Sequence, residues 1–88
     1  MPSKYKVVRR KAVKKGWLDI CARDPKGAAE VLQFLETTPE LRVPGKVKKL
    51  RGRLKGLLQY DVNYKDRVQY WVNKSEGKVM IEYAGPHP

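Results

Sequence analysis

Little in this chain suits redox, metal or secretory chemistry. Among 88 residues there is one cysteine, one histidine and nine Asp and Glu. Cys21 alone excludes an internal disulfide framework and cannot build a thiolate zinc site. The carboxylates are scattered, with no paired-acid or metal-ligand spacing, so no metal or cofactor is expected and a metal-dependent nuclease is disfavoured. No apolar run approaches the ~20 residues of a membrane span. The charged start MPSKYKVVRRK is not followed by the apolar segment of a secretory signal, which points to a soluble cytoplasmic protein.

What the chain has in excess is positive charge. Twenty Lys and Arg leave a net charge of +11, a field that draws phosphate-rich or acidic partners. No repeat and no Pro/Gly/Ser linker divides the sequence, and 1–88 reads as a single domain. Lys4 to Arg9 reads as a short strand. From Lys11 to Arg23, Val13, Trp17, Ile20 and Cys21 recur at helical spacing, with Gly16 a weak point. Asp24-Pro25 is a helix start, and Ala28, Val31, Leu32 and Leu35 form the stripe of a second helix ending near Thr37-Thr38-Pro39. Leu58, Tyr60, Val62 and Tyr64 alternate with polar residues, as do Val68, Tyr70 and Val72, and Lys78 to Ala84 is a further strand. The short separations favour an antiparallel meander. The expected fold is α+β: an N-terminal strand, a two-helix hairpin and a three-stranded antiparallel meander, with the helices packed on one sheet face.

Between Leu41 and Tyr60 there is no acid, whereas Arg42, Lys46, Lys48, Lys49, Arg51, Arg53 and Lys55 are all basic. Read as a loop, this segment is a polyanion-binding surface rather than mere solvation. Arg67 is the sharpest single residue. If Val68, Tyr70 and Val72 face the core, Arg67 stands on the opposite face with Gln69 and Trp71. A guanidinium on a rigid strand suits bidentate phosphate recognition, and an ion pair with Asp61, Asp66 or Glu82 is the competing fate. Trp71 has the shape to stack a base or to pack under a loop. His87, near the C-terminus, carries an imidazole, whose unperturbed pKa lies near working pH, and suits either a general acid–base role or simple exposure.

From Lys49 to His87 the sequence resembles the RelE/ParE superfamily of bacterial toxin–antitoxin toxins. The motifs are Leu50-Arg51-Gly52, Gly56-Leu57, Arg67-Val68-Gln69-Tyr70 and Gly85-Pro86-His87. Size, basicity and element order fit as well, so the resemblance implies a RelE-like fold. Within the superfamily the ribosome-dependent, YoeB-like mRNA interferases are the most similar branch. Arg67 matches their phosphate-contacting Arg and His87 their catalytic His. Lys48 stands where they place a catalytic Glu, Pro88 replaces their terminal Tyr, and Leu58 and Tyr60 occupy positions at which RelE carries lysines.

The resemblance implies a toxin that cleaves mRNA on the ribosome and inhibits translation. The 2′-OH would attack its own 3′-phosphate, giving 2′,3′-cyclic phosphate and 5′-OH ends without a metal. The catalytic set it implies is Arg67 and His87 with Lys49, Arg51 and Lys55. Lys46, Lys48, Arg53, Tyr60 and Trp71 make up the expected RNA-binding set. Ribosome and mRNA are expected partners, together with a cognate acidic antitoxin and no membrane. DNA would be engaged only indirectly, through the antitoxin. Two other readings compete: a ParE-like gyrase-inhibiting toxin without nuclease activity, and a non-toxic small basic RNA- or ribosome-binding protein.

Overall fold

A computed structural model describes residues 4–52 and 56–86. Strand β1 (Lys6–Arg9) leads into helices α1 (Lys11–Arg23) and α2 (Pro25–Thr37). Strands β2 (Val47–Lys49), β3 (Leu58–Asp61), β4 (Asp66–Asn73) and β5 (Lys78–Pro86) follow. They form one five-stranded sheet in the order β1-β5-β4-β3-β2. The β3-β4-β5 meander is antiparallel, β2 extends it antiparallel, and β1 pairs parallel with β5. The fold is therefore the expected α+β arrangement, with one strand more than the sequence indicates.

The helix limits follow from local chemistry. Asp24 ends α1 and caps α2, accepting the Gly27 N–H on Oδ1 at 2.9 Å, and Pro25 takes the first helical position, where no N–H is needed. Val13, Trp17 and Ile20 of α1 and Ala28, Val31 and Leu35 of α2 are buried against one sheet face. That face supplies Tyr60, Val68, Tyr70, Val79, Ile81 and Ala84. Gly16 has a packing reason to be glycine: a Cβ there would run into the backbone carbonyl of Ala84 on β5. Tyr70 is wholly buried and donates its hydroxyl to the Pro39 carbonyl at 2.6 Å. Burial, as the main cause, pushes its phenol well above the ordinary tyrosine range.

Two sequence expectations change. The basic segment is not wholly a loop, because Val47–Lys49 pairs with β3 and sets Val47 into the core. The third strand ends at Asp61 rather than running on to Tyr64. Asn63 turns the chain there, its Oδ1 accepting the N–H groups of Lys65 at 2.9 Å and Asp66 at 2.7 Å. Tyr64 consequently stands 97% exposed at the hairpin tip. This turn is tied to the helix joint: Asn63 donates to Asp24 at 2.9 Å, and Arg23 pairs with buried Asp66 at 2.6 Å. The hydrogen bonds from Asn63 and Gly27 hold the Asp24 carboxyl below its usual range, and the Asp66 bond raises Arg23.

Candidate nucleic-acid interface

The helices cover one side of the sheet and leave the other to polar residues. Register places Lys48, Gln59, Gln69 and Tyr83 in one row across β2, β3, β4 and β5. The adjacent row is Asp61, Arg67 and Gly85, and the next on the other side contains Trp71 and Met80. Arg67 thus stands on the uncovered face, as the alternation of β4 requires.

The three acids near enough in sequence or register to neutralise Arg67 are engaged elsewhere. Asp66 points to the helical side and pairs with Arg23. Glu82 sits at an irregularity where Gln69 pairs with Tyr83 but Tyr70 with Ile81. It accepts the Trp71 indole N–H at 3.0 Å and lies 3.4 Å from Arg10. Asp61, the cross-strand partner of Arg67, accepts instead from the Gln59 carboxamide at 2.8 Å. Arg67 donates through one terminal nitrogen to Gln59 Oε1 at 3.1 Å, and its Nε is buried without a partner among the described residues. Among the described residues no carboxylate forms an ion pair with this guanidinium.

Beside this face the β2 edge carries the basic residues. A groove of about 570 Å³ is lined by Arg42, Lys48, Lys49 and Arg51 together with Pro44, Val47 and Leu50. It contains four cations and no acid, a composition suited to a phosphate backbone. A second hollow of about 310 Å³ brings Lys49 and Trp71 together with Arg42, Glu40 and Leu58. Lys46 holds its ammonium 5.6 Å from the centroid of the Tyr60 ring.

The structure thus gathers Lys48, Lys49 and Arg51 on one edge, sets Trp71 in a hollow with Lys49, and links Arg67 through Gln59 to the row of Lys48. Tyr60 does not join them. It faces the helices, 5% exposed, with its ring centroid 5.0 Å from that of Phe34, so it is a core residue and not a stacking surface. Its place in the RNA-binding set is corrected accordingly, and burial raises its phenol pKa. Trp71 is half-buried with its indole N–H committed to Glu82. Arg53, Lys55 and His87 lie outside the described residues. The last described residue, Pro86, pairs with Asp66, and its carbonyl accepts the Tyr83 hydroxyl at 2.6 Å. Tyr83 reaches it by folding over Gly85, where a side chain would crowd the phenol. Arg42, named in the basic run but not in the expected RNA-binding set, lines both hollows, and Gln59, which the sequence did not single out, is buried beneath this face.

An α+β sheet open on one face, flanked by a cationic edge and carrying an Arg that no carboxylate among the described residues pairs with, defines a class of small domains with a surface suited to a polyanion. Solved structures narrow that class. A chain of the YoeB–YefM complex from Staphylococcus aureus superposes with a TM-score of 0.74 at 18% identity, over 98% of this chain and 100% of that one. The YoeB/ParE toxin from Agrobacterium tumefaciens gives 0.76 at 18% identity, over 94% and 99%. A chain of the archaeal RelE–RelB complex from Pyrococcus horikoshii gives 0.73 at 27% identity, over 94% of each chain. The fold is that of the RelE/ParE superfamily of toxins. No protein-family model matches the sequence, and no curated protein matches it at significance.

Proposed function

We propose that this chain is the toxin of a type II toxin–antitoxin pair and acts as a ribosome-dependent mRNA endonuclease. The observation that carries the reading is Arg67, whose guanidinium has no carboxylate partner among the described residues and stands on the open sheet face, joined through Gln59 to the row that carries Lys48. In the reaction the 2′-oxygen bonds to phosphorus while the bond to the departing 5′-oxygen breaks. One proton leaves the 2′-OH and one is delivered to the 5′-oxygen. Arg67 stabilises the additional negative charge on the phosphoryl oxygens, with Lys49, Arg51 and Lys55 assisting. His87 is the acid–base group, since imidazole is the side chain whose chemistry suits proton transfer near neutral pH. Arg42, Lys46, Lys48 and Arg53 hold flanking phosphates, and Trp71 packs against the message. The ribosome supplies the orientation that free RNA lacks.

The partner that silences the toxin is an acidic antitoxin whose extended segment wraps the chain, with charge complementarity to +11 speeding association. DNA is reached only through that antitoxin. The test is induction in bacteria, with translation, mRNA cleavage at ribosomes and DNA supercoiling measured side by side. Cleavage with unaltered supercoiling supports the reading. Altered supercoiling with intact message replaces it with gyrase inhibition, and neither effect leaves a non-toxic RNA-binding protein.

A further inference from the structure

Gln59 is fully buried although it lies on the sheet face that the helices leave uncovered. Its carboxamide is engaged in one orientation: Oε1 accepts from Arg67 at 3.1 Å and from Gln69 Nε2 at 3.1 Å, while Nε2 donates to Asp61 at 2.8 Å. Exchanging the amide oxygen and nitrogen would turn a donor toward a guanidinium and an acceptor toward a carboxylate, so the surroundings fix the assignment. Asp61 and Arg67 are direct cross-strand partners on this face, a placement in which opposite charges ordinarily pair. Here they do not. A neutral amide bridges the two and holds the guanidinium by one terminal nitrogen, with Nε unpartnered among the described residues.

We infer that Gln59 is a positioning residue that insulates Arg67 from Asp61, keeping the guanidinium's charge available for a phosphoryl group. It does not itself touch the substrate. The inference rests on the reading of Arg67 as the phosphate-binding residue. Without the amide, the cross-strand carboxylate captures Arg67 and competes with phosphate for its donors. Partners that only orient a functional side chain, as best measured around metal ligands, commonly change activity by about 10- to 100-fold.

The test compares wild type, Gln59→Ala, Gln59→Glu and the double variant Gln59→Ala/Asp61→Asn, each with thermal unfolding as a control of folding. Two readouts are used: the rate of ribosome-dependent mRNA cleavage, and inorganic phosphate binding followed by the proton–nitrogen NMR signal of the Arg67 Nε–H. Gln59→Ala is expected to lose cleavage and phosphate binding by about 10- to 100-fold, with most of both regained when Asp61 is also neutralised. Gln59→Glu preserves the shape and is expected to bind phosphate as poorly as Gln59→Ala, because its carboxylate neutralises Arg67. Rescue by Asp61→Asn is a response that mere loss of packing would not give. A folded Gln59→Ala protein with wild-type phosphate binding, a double variant no better than the single, or a Gln59→Glu protein that binds phosphate normally would overturn the inference. A wild-type chain that binds phosphate at Arg67 but never cleaves message would sink the nuclease reading alone and leave the insulation testable.

Discussion

Replacing Gly16 by alanine sets helix propensity against packing. In the middle of α1, alanine should stabilise the helix by about 1 kcal/mol over glycine. The structure predicts the opposite outcome, because the new Cβ would enter the space of the Ala84 carbonyl oxygen. That obstacle is backbone in a paired strand, with Ala84 opposite Val68, and cannot rotate away as a side chain would. Overpacking a close approach costs about 1–3 kcal/mol, and a rigid obstacle places this one at the upper end. The net effect is a loss of about 1–2 kcal/mol, which for a domain of this size lowers Tm by about 4–16 °C. Differential scanning calorimetry on Gly16→Ala, with an exposed α1 control such as Lys14→Ala, reads the difference directly. A Tm equal to or above wild type would refute the claimed approach of α1 to β5. The approach matters for the site because Ala84 precedes Gly85, the β5 partner of Arg67.

Two further outcomes are expected. Asn63→Ala removes the hydrogen bond that contributes most to the lowered Asp24 pKa. A carboxyl whose folded pKa is depressed stabilises the fold above its unfolded value, 3.8 here, and the benefit is lost as pH falls through the folded value. The variant should therefore be less stable at neutral pH and lose less on acidification below that point. Urea titrations at pH 7 and pH 2.5 check this, and an unchanged difference between the two would contradict it. Neutralising Lys48, Lys49 and Arg51 together should flatten the salt dependence of binding to single-stranded RNA. Each phosphate that the edge no longer neutralises takes about 0.7 from the slope of log K against log salt, so the change approaches about 2. An unchanged slope would show that these cations only solvate the β2 edge.

The legible parts of the fold were those with long periodicity and clear punctuation. The limits of α1 and α2 follow from Val13, Trp17 and Ile20 at helical spacing and from Asp24-Pro25 between them. The exposed face of β4, and with it Arg67, follows from alternation across eight residues. Strand β2 was illegible because three residues inside a basic run contribute one buried side chain, Val47, too few to show a period. Tyr64 continued the alternation past the point where Asn63 had already turned the chain, and only the Asx hydrogen bonds reveal the end. Tyr60 shared its phase with Val62 and so belonged to the core, whereas its place in the RNA-binding set rested on resemblance rather than on the residue itself. Gln59 was hidden for a different reason. A glutamine at an alternating polar position reads as solvated, and its burial depends on Arg67, Gln69 and Asp61 closing over it from the adjacent strand and along its own.

The central claim is that Arg67 serves phosphoryl transfer on ribosome-bound message. Its most direct test is to map the ends of mRNA recovered from translating ribosomes incubated with wild-type protein and with Arg67→Ala. Wild type should leave 2′,3′-cyclic phosphate and 5′-OH ends, and the variant should fold normally yet produce them on the order of 10²–10³ more slowly. Arg67→Ala cleaving at the wild-type rate, or wild type leaving the message intact, would contradict the account.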